Sequence, residues 1–314
     1  MPEMIVFLMD HARGALVGLS VGDALGTTLE FTARDHMPEQ TEMTGGGPFH
    51  LDPGVWTDDT SLALALAESL VTCRTFDADD VMRRFVRWWQ HGQYSPTGRC
   101  FDIGNTTARA LGRYCATGNP IAGSTDAGEA GNGSLMRLTP AAIFTWNDPD
   151  FCRTLAAEQS RTTHGAAQAV DSCMFLADLL RRAMLGEAKD SLLAPQSFAG
   201  VPAVQALAEG SWRGKTRDAI RSTGYVIDTL EAALWAVAQT DSFEAAVILA
   251  VNLGDDADTV GAVTGQLAGA IYGISAIPPR WLAKLAWRDD IISAADDLLT
   301  ARRRHVVRAS PTSV

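Results

Sequence analysis

Apolar residues recur along most of this chain at intervals of three and four, the spacing that places them on one face of an α-helix. A helix following the acidic caps near Asp77 would place Val81, Phe85 and Trp88 on its buried face. Further helices are predicted at about 60–72, 106–117, 149–161, 164–185, 201–210, 216–221, 228–239, 242–251, 257–273, 279–286 and 289–304. Alternating apolar and polar positions, which indicate strands, are absent. We therefore predict an all-α fold of ten or more helices.

The domain organisation follows from the same pattern. No linker, shift of composition or repeat of constant period divides the chain. We predict a single domain over residues 1–314, with its core at about 11–300 and a flexible tail at 305–314.

Small residues replace the large apolar ones in the segment at 11–31. Gly14, Gly18, Gly22 and Gly26 recur every fourth position, so one face of the predicted helix is nearly bare. Such a face allows another helix to approach closely. A phosphate-binding glycine loop is the alternative, but no alternating strand precedes the glycines, so that signal is weak.

Composition excludes several classes of function. The chain has 314 residues, of which 46% are hydrophobic and 20% charged, as in an ordinary folded protein. Its net charge of −11 argues against nucleic acid or an anionic membrane as a partner. The five cysteines show no metal-binding or disulfide spacing, and neither a signal peptide nor a membrane span is evident. We therefore expect a cytoplasmic protein.

Two short stretches at predicted loop–helix junctions carry the candidate chemistry. The first, Val55–Ser61, has two adjacent carboxylates between threonines, and a helix cap is its ordinary interpretation. The second, Asn252–Gly261, has three aspartates within four residues between apolar segments, an arrangement that is unfavourable without a counter-charge. Two facing junctions of this kind would suit two divalent cations, Mg²⁺ or Mn²⁺, with the first junction also capping its helix. The predicted metal ligands are Thr57, Asp58, Asp59, Asp256, Asp258 and Thr259.

Together these motifs resemble the ADP-ribosylglycohydrolase family, and within it the dinitrogenase reductase-activating glycohydrolases. Five blocks occur in the family's order, from about residue 11 to residue 273. They are Gly22–Gly26 ending at Glu30, Thr57–Thr60, Gly131–Arg137, Thr163–His164 and Gly254–Thr259, with lesser echoes at Phe101–Thr106 and Ser222–Thr229. The resemblance implies an all-α fold with a dinuclear Mg²⁺ or Mn²⁺ centre, and hydrolysis of an ADP-ribose glycosidic bond.

The resemblance also implies roles for further residues. Glu30 and Glu129 would be catalytic, although relatives carry Asp at the second position, and which of the two is acid or base stays open. The expected substrate-binding residues are Gly131, Asn132, Gly133 and Ser134, with backbone N–H groups toward a diphosphate, together with His164 and Tyr225. Without the resemblance each has an ordinary interpretation: a solvated helix end, a Gly-Asn turn, a structural histidine or a core aromatic residue.

The function that the sequence favours is hydrolysis of the N-glycosidic bond between ADP-ribose and a protein arginine. The modified protein would be dinitrogenase reductase or the target of an ADP-ribosylating toxin. One alternative keeps the site but changes the linkage, to serine-linked ADP-ribose or O-acetyl-ADP-ribose. Another is a non-catalytic ADP-ribose-binding or structural protein, against which stands a competent ligand at each of the six metal positions.

Overall fold

Helices form the regular structure of residues 2–301, the part of the chain that this computed structural model describes. The α-helices are α1 (Pro2–Gly26), α2 (Asp58–Cys73), α3 (Ala78–His91), α4 (Asn105–Thr117), α5 (Thr139–Phe144), α6 (Pro149–Thr163), α7 (Ala167–Met184), α8 (Lys189–Leu192), α9 (Pro202–Ala208), α10 (Val226–Ala238), α11 (Phe243–Val251), α12 (Ala257–Tyr272), α13 (Pro279–Leu282) and α14 (Arg288–Ala301). Pairing between extended segments in residues 2–301 is confined to isolated bridges. The prediction of an all-α fold is confirmed, whereas the predicted tail at 305–314 lies outside the described residues.

The antiparallel pair of α1 and α12 lies at the centre of the fold, and the glycines predicted to form a bare face make their contact. A Cβ atom on Gly22 would lie 2.0 Å from the carbonyl oxygen of Gly261, and one on Gly18 would lie 2.3 Å from that of Gly265. Any side chain would therefore push the two backbones apart. Helices α7, α10, α11 and α14 pack around this pair.

The register of this pair determines what comes together at one end of it. The last glycine of α1, Gly26, packs against Ala257 in the first turn of α12. A short 3₁₀ turn at Thr27–Leu29 then carries the chain to Glu30. The backbone N–H of Asp258 lies 3.5 Å from the Glu30 carboxylate. The end of α1 and the start of α12 thus form one side of a shared site.

The first turn of α2 is capped from another helix, which corrects the prediction that Thr57 and its neighbours cap it themselves. The Thr57 side chain makes no capping hydrogen bond. Instead the buried carboxylate of Asp23, on α1, accepts the backbone N–H groups of Thr57 at 2.9 Å and Thr60 at 3.1 Å, and the Thr60 hydroxyl at 2.7 Å. Asp23 therefore satisfies the free donors of α2 and leaves the Thr57 hydroxyl available.

The break predicted between the helices at 149–161 and 164–185 is present, but it lies slightly later in the chain. Helix α6 runs on to Thr163, and His164 leaves the helical conformation with φ −129° and ψ 93°. The next residue, Gly165, donates its N–H to the carbonyl of Ser124 at 2.9 Å. This bond to a distant loop replaces the helical one, so α7 begins only at Ala167.

Other predicted boundaries shift as well. The predicted helix at 216–221 is only a 3₁₀ turn at Arg217–Ala219, because the Arg34 guanidinium takes the carbonyls of Arg217 and Ile220. The predicted helix at 279–286 ends at Leu282, and α1 extends back to Pro2. Local periodicity does not report such long-range hydrogen bonds.

Within residues 2–301 one stretch, Glu3–Leu29, is long and apolar enough to cross a membrane by length and composition alone. In the structure 61% of its most apolar window is buried inside the protein. A buried core helix meets the same criteria, as does a signal sequence near an N-terminus. The stretch is therefore weak evidence for a membrane span.

Candidate active site

The structure brings the two acidic motifs together, although 200 residues separate them along the chain. One motif is the first turn of α2, and the other is the first turn of α12. The Thr259 hydroxyl of the second motif lies 3.4 Å from a carboxylate oxygen of Asp59 in the first. The two junctions thus face each other, as the sequence predicts.

Three carboxylates form the densest part of the site. Oxygen atoms of Glu30, Asp256 and Asp258 all lie within 4.8 Å of one another, and Glu30 and Asp258 are buried. Burial, together with the charge of Asp258, raises the pKa of Asp256 to about 7 and the pKa of Glu30 far above its usual range. Such a group repels itself unless a cation or protons neutralise it.

The carboxylates of the first motif add to this charge. Asp58 and Asp59 are both buried, and burial raises the pKa of each well above its usual value, with Asp258 and Asp23 adding repulsion. Two buried oxygens of this motif, Thr57 Oγ1 and Asp59 Oδ2, have no hydrogen-bond partner among the described residues. Unpartnered hydroxyl and carboxylate oxygens facing a carboxylate group are the hard ligands that Mg²⁺ and Mn²⁺ take, so the residues fit a divalent cation.

Asp102 is the main site residue that sequence reasoning missed. It lies in the loop before α4 with a left-handed backbone, φ 59°, which Asp tolerates better than most residues. Burial and the charges of Asp258 and Asp58 raise the pKa of Asp102 to about 11. The sequence signal that points to it is its place in the Phe101–Thr106 echo of the family pattern.

Asp23 is the second missed residue. Its carboxylate is fully buried, and burial together with the charge of Asp258 raises its pKa to about 7, although its hydrogen bonds to Thr57 and Thr60 oppose that rise. It was part of the Gly22–Gly26 block, but only the packing of α1 against α2 shows that it orients the first acidic motif.

The glycine loop adjoins the second acidic motif, and part of its hydrogen-bonding capacity is used internally. The N–H of Gly131 binds the carbonyl of Glu129, and the N–H of Asn132 binds that of Gly224. In the described part of the chain, the loop N–H groups without a partner are those of Gly133 and Ser134. The Asn132 side chain donates to Asp256 at 2.6 Å, so it connects the loop to the carboxylates.

Three of the predicted catalytic and substrate-binding residues lie apart from the cleft lining, as do the predicted metal ligands Thr57 and Asp59. The Ser134 hydroxyl is fully buried and bonds Ser160 at 2.8 Å, so Ser134 can serve a ligand only through its backbone N–H. The Glu129 carboxylate pairs with Arg109 at 2.8 Å rather than with the acidic group. Tyr225 forms an isolated bridge with Gly131 and packs against the core.

His164 does line the cleft, in agreement with its predicted position. It is buried, and its Nδ1 lies 2.8 Å from the Thr163 hydroxyl. Burial and the nearby charge of Arg137 lower the pKa of His164 to about 3, so the ring is neutral. A Cβ atom on Gly133 would lie 2.7 Å from the ring, which explains why glycine is needed there.

These groups border one cleft of about 640 Å³. Its lining includes the carboxylates of Glu30, Asp58 and Asp102 together with the glycine loop and His164. The cleft is large enough for a ligand of nucleotide size. It brings acidic, metal-suited groups together with N–H donors.

Comparison with known proteins gives the same family as the resemblance of the sequence motifs. The ADP-ribosylglycohydrolase family matches residues 5–306. The chain is 48% identical over 290 residues to the ADP-ribosylarginine hydrolase Tri1 of Pseudomonas putida (strain GB-1), covering 92% of this chain and 78% of that protein. It is 36% identical over 288 residues to the ADP-ribosyl-[dinitrogen reductase] glycohydrolase of Rhodospirillum rubrum, covering 88% and 90%. A solved structure described as an ADP-ribosylglycohydrolase-related protein complex superposes with a TM-score of 0.84 at 46% identity, covering 94% of this chain and 99% of that one. The chain belongs to the ADP-ribosylglycohydrolase family.

Proposed function

We propose that this protein is a metal-dependent hydrolase that releases ADP-ribose from ADP-ribosylated protein arginine by cleaving the N-glycosidic bond. The observation that carries the proposal is the carboxylate group of Glu30, Asp256 and Asp258, which lines a cleft of nucleotide size. The unpartnered oxygens of Thr57 and Asp59 belong to the motif that meets this group at Thr259. The relative at 48% identity is named an ADP-ribosylarginine hydrolase, which supports the same substrate class.

The metal centre in this proposal is dinuclear and binds Mg²⁺ or Mn²⁺. Its ligands are the two motifs that meet across the site: Thr57, Asp58, Asp59, Asp256, Asp258 and Thr259. Glu30 lies within 4.8 Å of the second motif's carboxylates and so adjoins the metals. When bound, two such cations supply Lewis-acid sites for the ribose hydroxyls and lower the pKa of a coordinated water.

The proton transfers fall to carboxyl groups beside that centre. Glu30 and Asp102 both line the cleft, and their burial, which does not depend on the metals, favours the protonated form of each carboxyl group. One of them in its ionised form would accept the proton of the attacking water, and the other would donate to the departing guanidine nitrogen. Asp102 takes this place in the proposal rather than Glu129, because Asp102 lines the cleft and Glu129 does not.

The mouth of the cleft suits an arginine. Phe31 follows Glu30 directly, lines the cleft and is 70% exposed. Its ring centroid lies 6.2 Å from that of Phe49, which in turn lies 5.3 Å from that of Phe101 beside Asp102. A planar guanidinium binds well to aromatic faces flanked by carboxylates, whereas a neutral serine linkage gains nothing from them.

The acceptor protein and the cellular compartment are also part of the proposal. The acceptor is a protein arginine modified by an endogenous transferase or by a toxin, and dinitrogen reductase is the acceptor named for the Rhodospirillum rubrum relative. We place the enzyme in the cytoplasm, which suits the free state of its five cysteines.

The test uses Asp256→Ala with peptides that carry ADP-ribose on arginine or on serine. We expect the wild-type protein to release ADP-ribose from the arginine peptide in the presence of Mg²⁺ or Mn²⁺. The variant should lose this release by about a hundred-fold or more, because a ligand of the metals is missing. Chromatography of free ADP-ribose measures the reaction, and calorimetry with Mn²⁺ measures metal binding.

The control is Asp255→Asn, which removes one charge from the neighbouring, exposed aspartate. It should keep tight Mn²⁺ binding. Full metal-dependent activity in Asp256→Ala would contradict the metal assignment. Release from the serine peptide alone would show that the linkage is wrong, and ADP-ribose binding without turnover would indicate a binding protein.

A further inference from the structure

A buried cation lies beneath the glycine loop. Arg137 is fully buried, and its guanidinium donates to the carbonyl of Gly133 at 3.0 Å. Its other acceptors are the side chain and carbonyl of Gln159 and the hydroxyls of Thr162 and Thr163. Every one of these acceptors is neutral, and the guanidinium also lies 4.5 Å from the centroid of the Phe85 ring, so the positive charge is held without a carboxylate partner.

This placement matters because the cleft itself offers no cationic side chain. Among the described residues that line it there is neither lysine nor arginine, whereas acidic groups are numerous. The ligand in the proposed function carries a diphosphate, which requires donors at the end away from the metals. The N–H group of Gly133, which lines the cleft, is one such donor, and the His164 ring is adjacent to it.

The directions of two consecutive hydrogen bonds, from Arg137 to Thr163 and from Thr163 to His164, determine which ring nitrogen of His164 carries the proton. Arg137 Nη2 lies 2.7 Å from Thr163 Oγ1, and an arginine can only donate. Thr163 Oγ1 lies 2.8 Å from His164 Nδ1, and in the described part of the chain no other acceptor is within reach of its hydrogen. The Thr163 hydroxyl therefore accepts from Arg137 and donates to Nδ1. A neutral histidine whose Nδ1 accepts must carry its proton on Nε2.

The protonated nitrogen faces the glycine loop. A Cβ atom would lie 3.4 Å from His164 Nε2 if placed on Gly131 and 3.0 Å if placed on Gly133. No acceptor for Nε2 occurs among residues 2–301, so this N–H remains free beside the loop. We propose that Arg137 and Thr163 are positioning residues that hold His164 as its Nε2–H tautomer, so that it donates to the phosphate oxygens of ADP-ribose. The identity of that ligand rests on the proposed function, whereas the tautomer does not.

A neutral His164 ring held in one tautomer has a physical advantage over a charged histidine at this position. An imidazolium here would be buried next to the Arg137 charge, and the repulsion opposes it. A neutral ring locked by Thr163 is instead a donor at every physiological pH. Phosphate binding then does not change with the protonation state of the ring.

The first experiment measures the tautomer directly in the ligand-free wild-type chain. Nitrogen-15 NMR distinguishes a protonated ring nitrogen from a bare one, and the signals of His164, one of six histidines, are assigned by their loss in His164→Gln. We expect a protonated Nε2 and a bare Nδ1 with unchanged shifts between about pH 5.5 and pH 9. A protonated Nδ1, or a ring that titrates in this range, would overturn the proposal whatever the enzymatic activity is.

The second experiment compares Thr163→Val with Thr162→Val. Both remove a buried hydroxyl that contacts Arg137, but only Thr163 contacts His164. Thr163→Val should lose the single-tautomer signature and bind ADP-ribose about ten-fold more weakly by calorimetry, since one hydrogen bond to a charged group is lost. Thr162→Val should keep the signature and bind ADP-ribose more tightly than Thr163→Val does.

Substitutions of His164 test whether its Nε2–H group donates to the ligand. His164→Gln, whose amide keeps a donor at the Nε2 position, should bind ADP-ribose more tightly than His164→Ala. Equal weakening in both threonine variants would instead assign Arg137 and its neighbours a purely structural role. If the tautomer and the binding differences are observed but the protein releases no ADP-ribose from any peptide, the proposed function fails and this inference stands.

Discussion

Phe31 has a backbone conformation that an aromatic residue rarely adopts. Its φ is 58°, in the left-handed region, and its N–H is held by the carbonyl of Asp255 at 2.8 Å. The side chain is nevertheless 70% exposed, so its ring gains little from burial in the core. A strained residue with an exposed ring at a cleft is more readily explained by ligand contact than by stability.

Replacing Phe31 with alanine therefore tests recognition of the arginine. We expect KM for the arginine-linked peptide to rise about three- to ten-fold, the range of one cation–π contact. The inhibition constant (Ki) of free ADP-ribose should change little, because the Phe31 ring lies next to Glu30, on the side of the arginine acceptor. Steady-state kinetics with competing ADP-ribose separates the two effects.

Phe7→Ala provides a matched control, since Phe7 is also an exposed phenylalanine but lies on α1 stacked against His11. It should leave both constants unchanged. If Phe31→Ala does not alter KM for the arginine peptide, the aromatic mouth plays no part in recognising the guanidinium.

The residues of the site were predictable to different degrees, for physical reasons. Asp58 and Asp256 stand beside other carboxylates in the sequence, so their shared chemistry is visible without a structure. Asp102 stands alone between a phenylalanine and an isoleucine, and its proximity to Asp258 depends on how one loop folds over α2. Glu129 shows the converse: its place in the sequence suggested the site, but its charge is matched by Arg109.

At the scale of elements, the contact of α1 with α12 couples the packing of the fold to the geometry of the site. Its glycines advance by four residues on each helix, so every contact in the series repeats the same register. The end of that series places Gly26 against Ala257, and hence Glu30 beside Asp258. A change in helix separation would therefore move carboxylates of the site relative to one another.

Gly22→Ala tests this coupling. The new Cβ would meet backbone atoms of Gly261 at 2.0 Å, and backbone cannot move aside as a flexible side chain can. We expect destabilisation of about 3 kcal/mol, at the upper end of overpacking. Denaturant unfolding measures it. Because Glu30 and Asp258 lie at the end of the pair, Mn²⁺ affinity should also fall in whatever fraction folds.

The control is Gly112→Ala in the middle of α4, where a Cβ would meet no atom within 4 Å. Alanine is the better helix former, so stability should rise by up to about 1 kcal/mol. Equal effects of the two substitutions would mean that the glycines of α1 serve the helix itself and not its contact with α12.

The helices themselves were largely predictable, because most bury one apolar face at regular spacing. Their ends were less so. The break at His164 depends on a hydrogen bond between Gly165 and Ser124, and the loss of a helix near Arg217 depends on Arg34. The cap of α2 likewise comes from Asp23, which is 34 residues away from Thr57. Periodicity within a segment carries no information about such partners.

At the scale of the whole molecule, the acidic site makes stability depend on pH and on metal together. Folding raises the pKa values of Asp23 and Asp256 to about 7 and that of Asp102 to about 11, so it favours their protonated forms. This stabilising contribution is complete below the unfolded pKa of about 4 and is lost as pH rises through the folded value. The main loss for Asp23 and Asp256 then falls between about pH 4 and pH 7.

The metal-free protein should therefore become less stable over that interval, whereas the protein with saturating Mg²⁺ or Mn²⁺ should not, because the cations neutralise the carboxylates instead of protons. Calorimetric Tm values measured with metal and with chelator should diverge as pH rises. In Asp102→Asn, which lacks one buried carboxylate, the metal-free protein should gain Tm at pH 8 relative to wild type and differ less at pH 5. A metal-free wild-type Tm that rises with pH across this range would contradict the raised pKa values. It would mean that the buried carboxylates ionise without cost and need no cation.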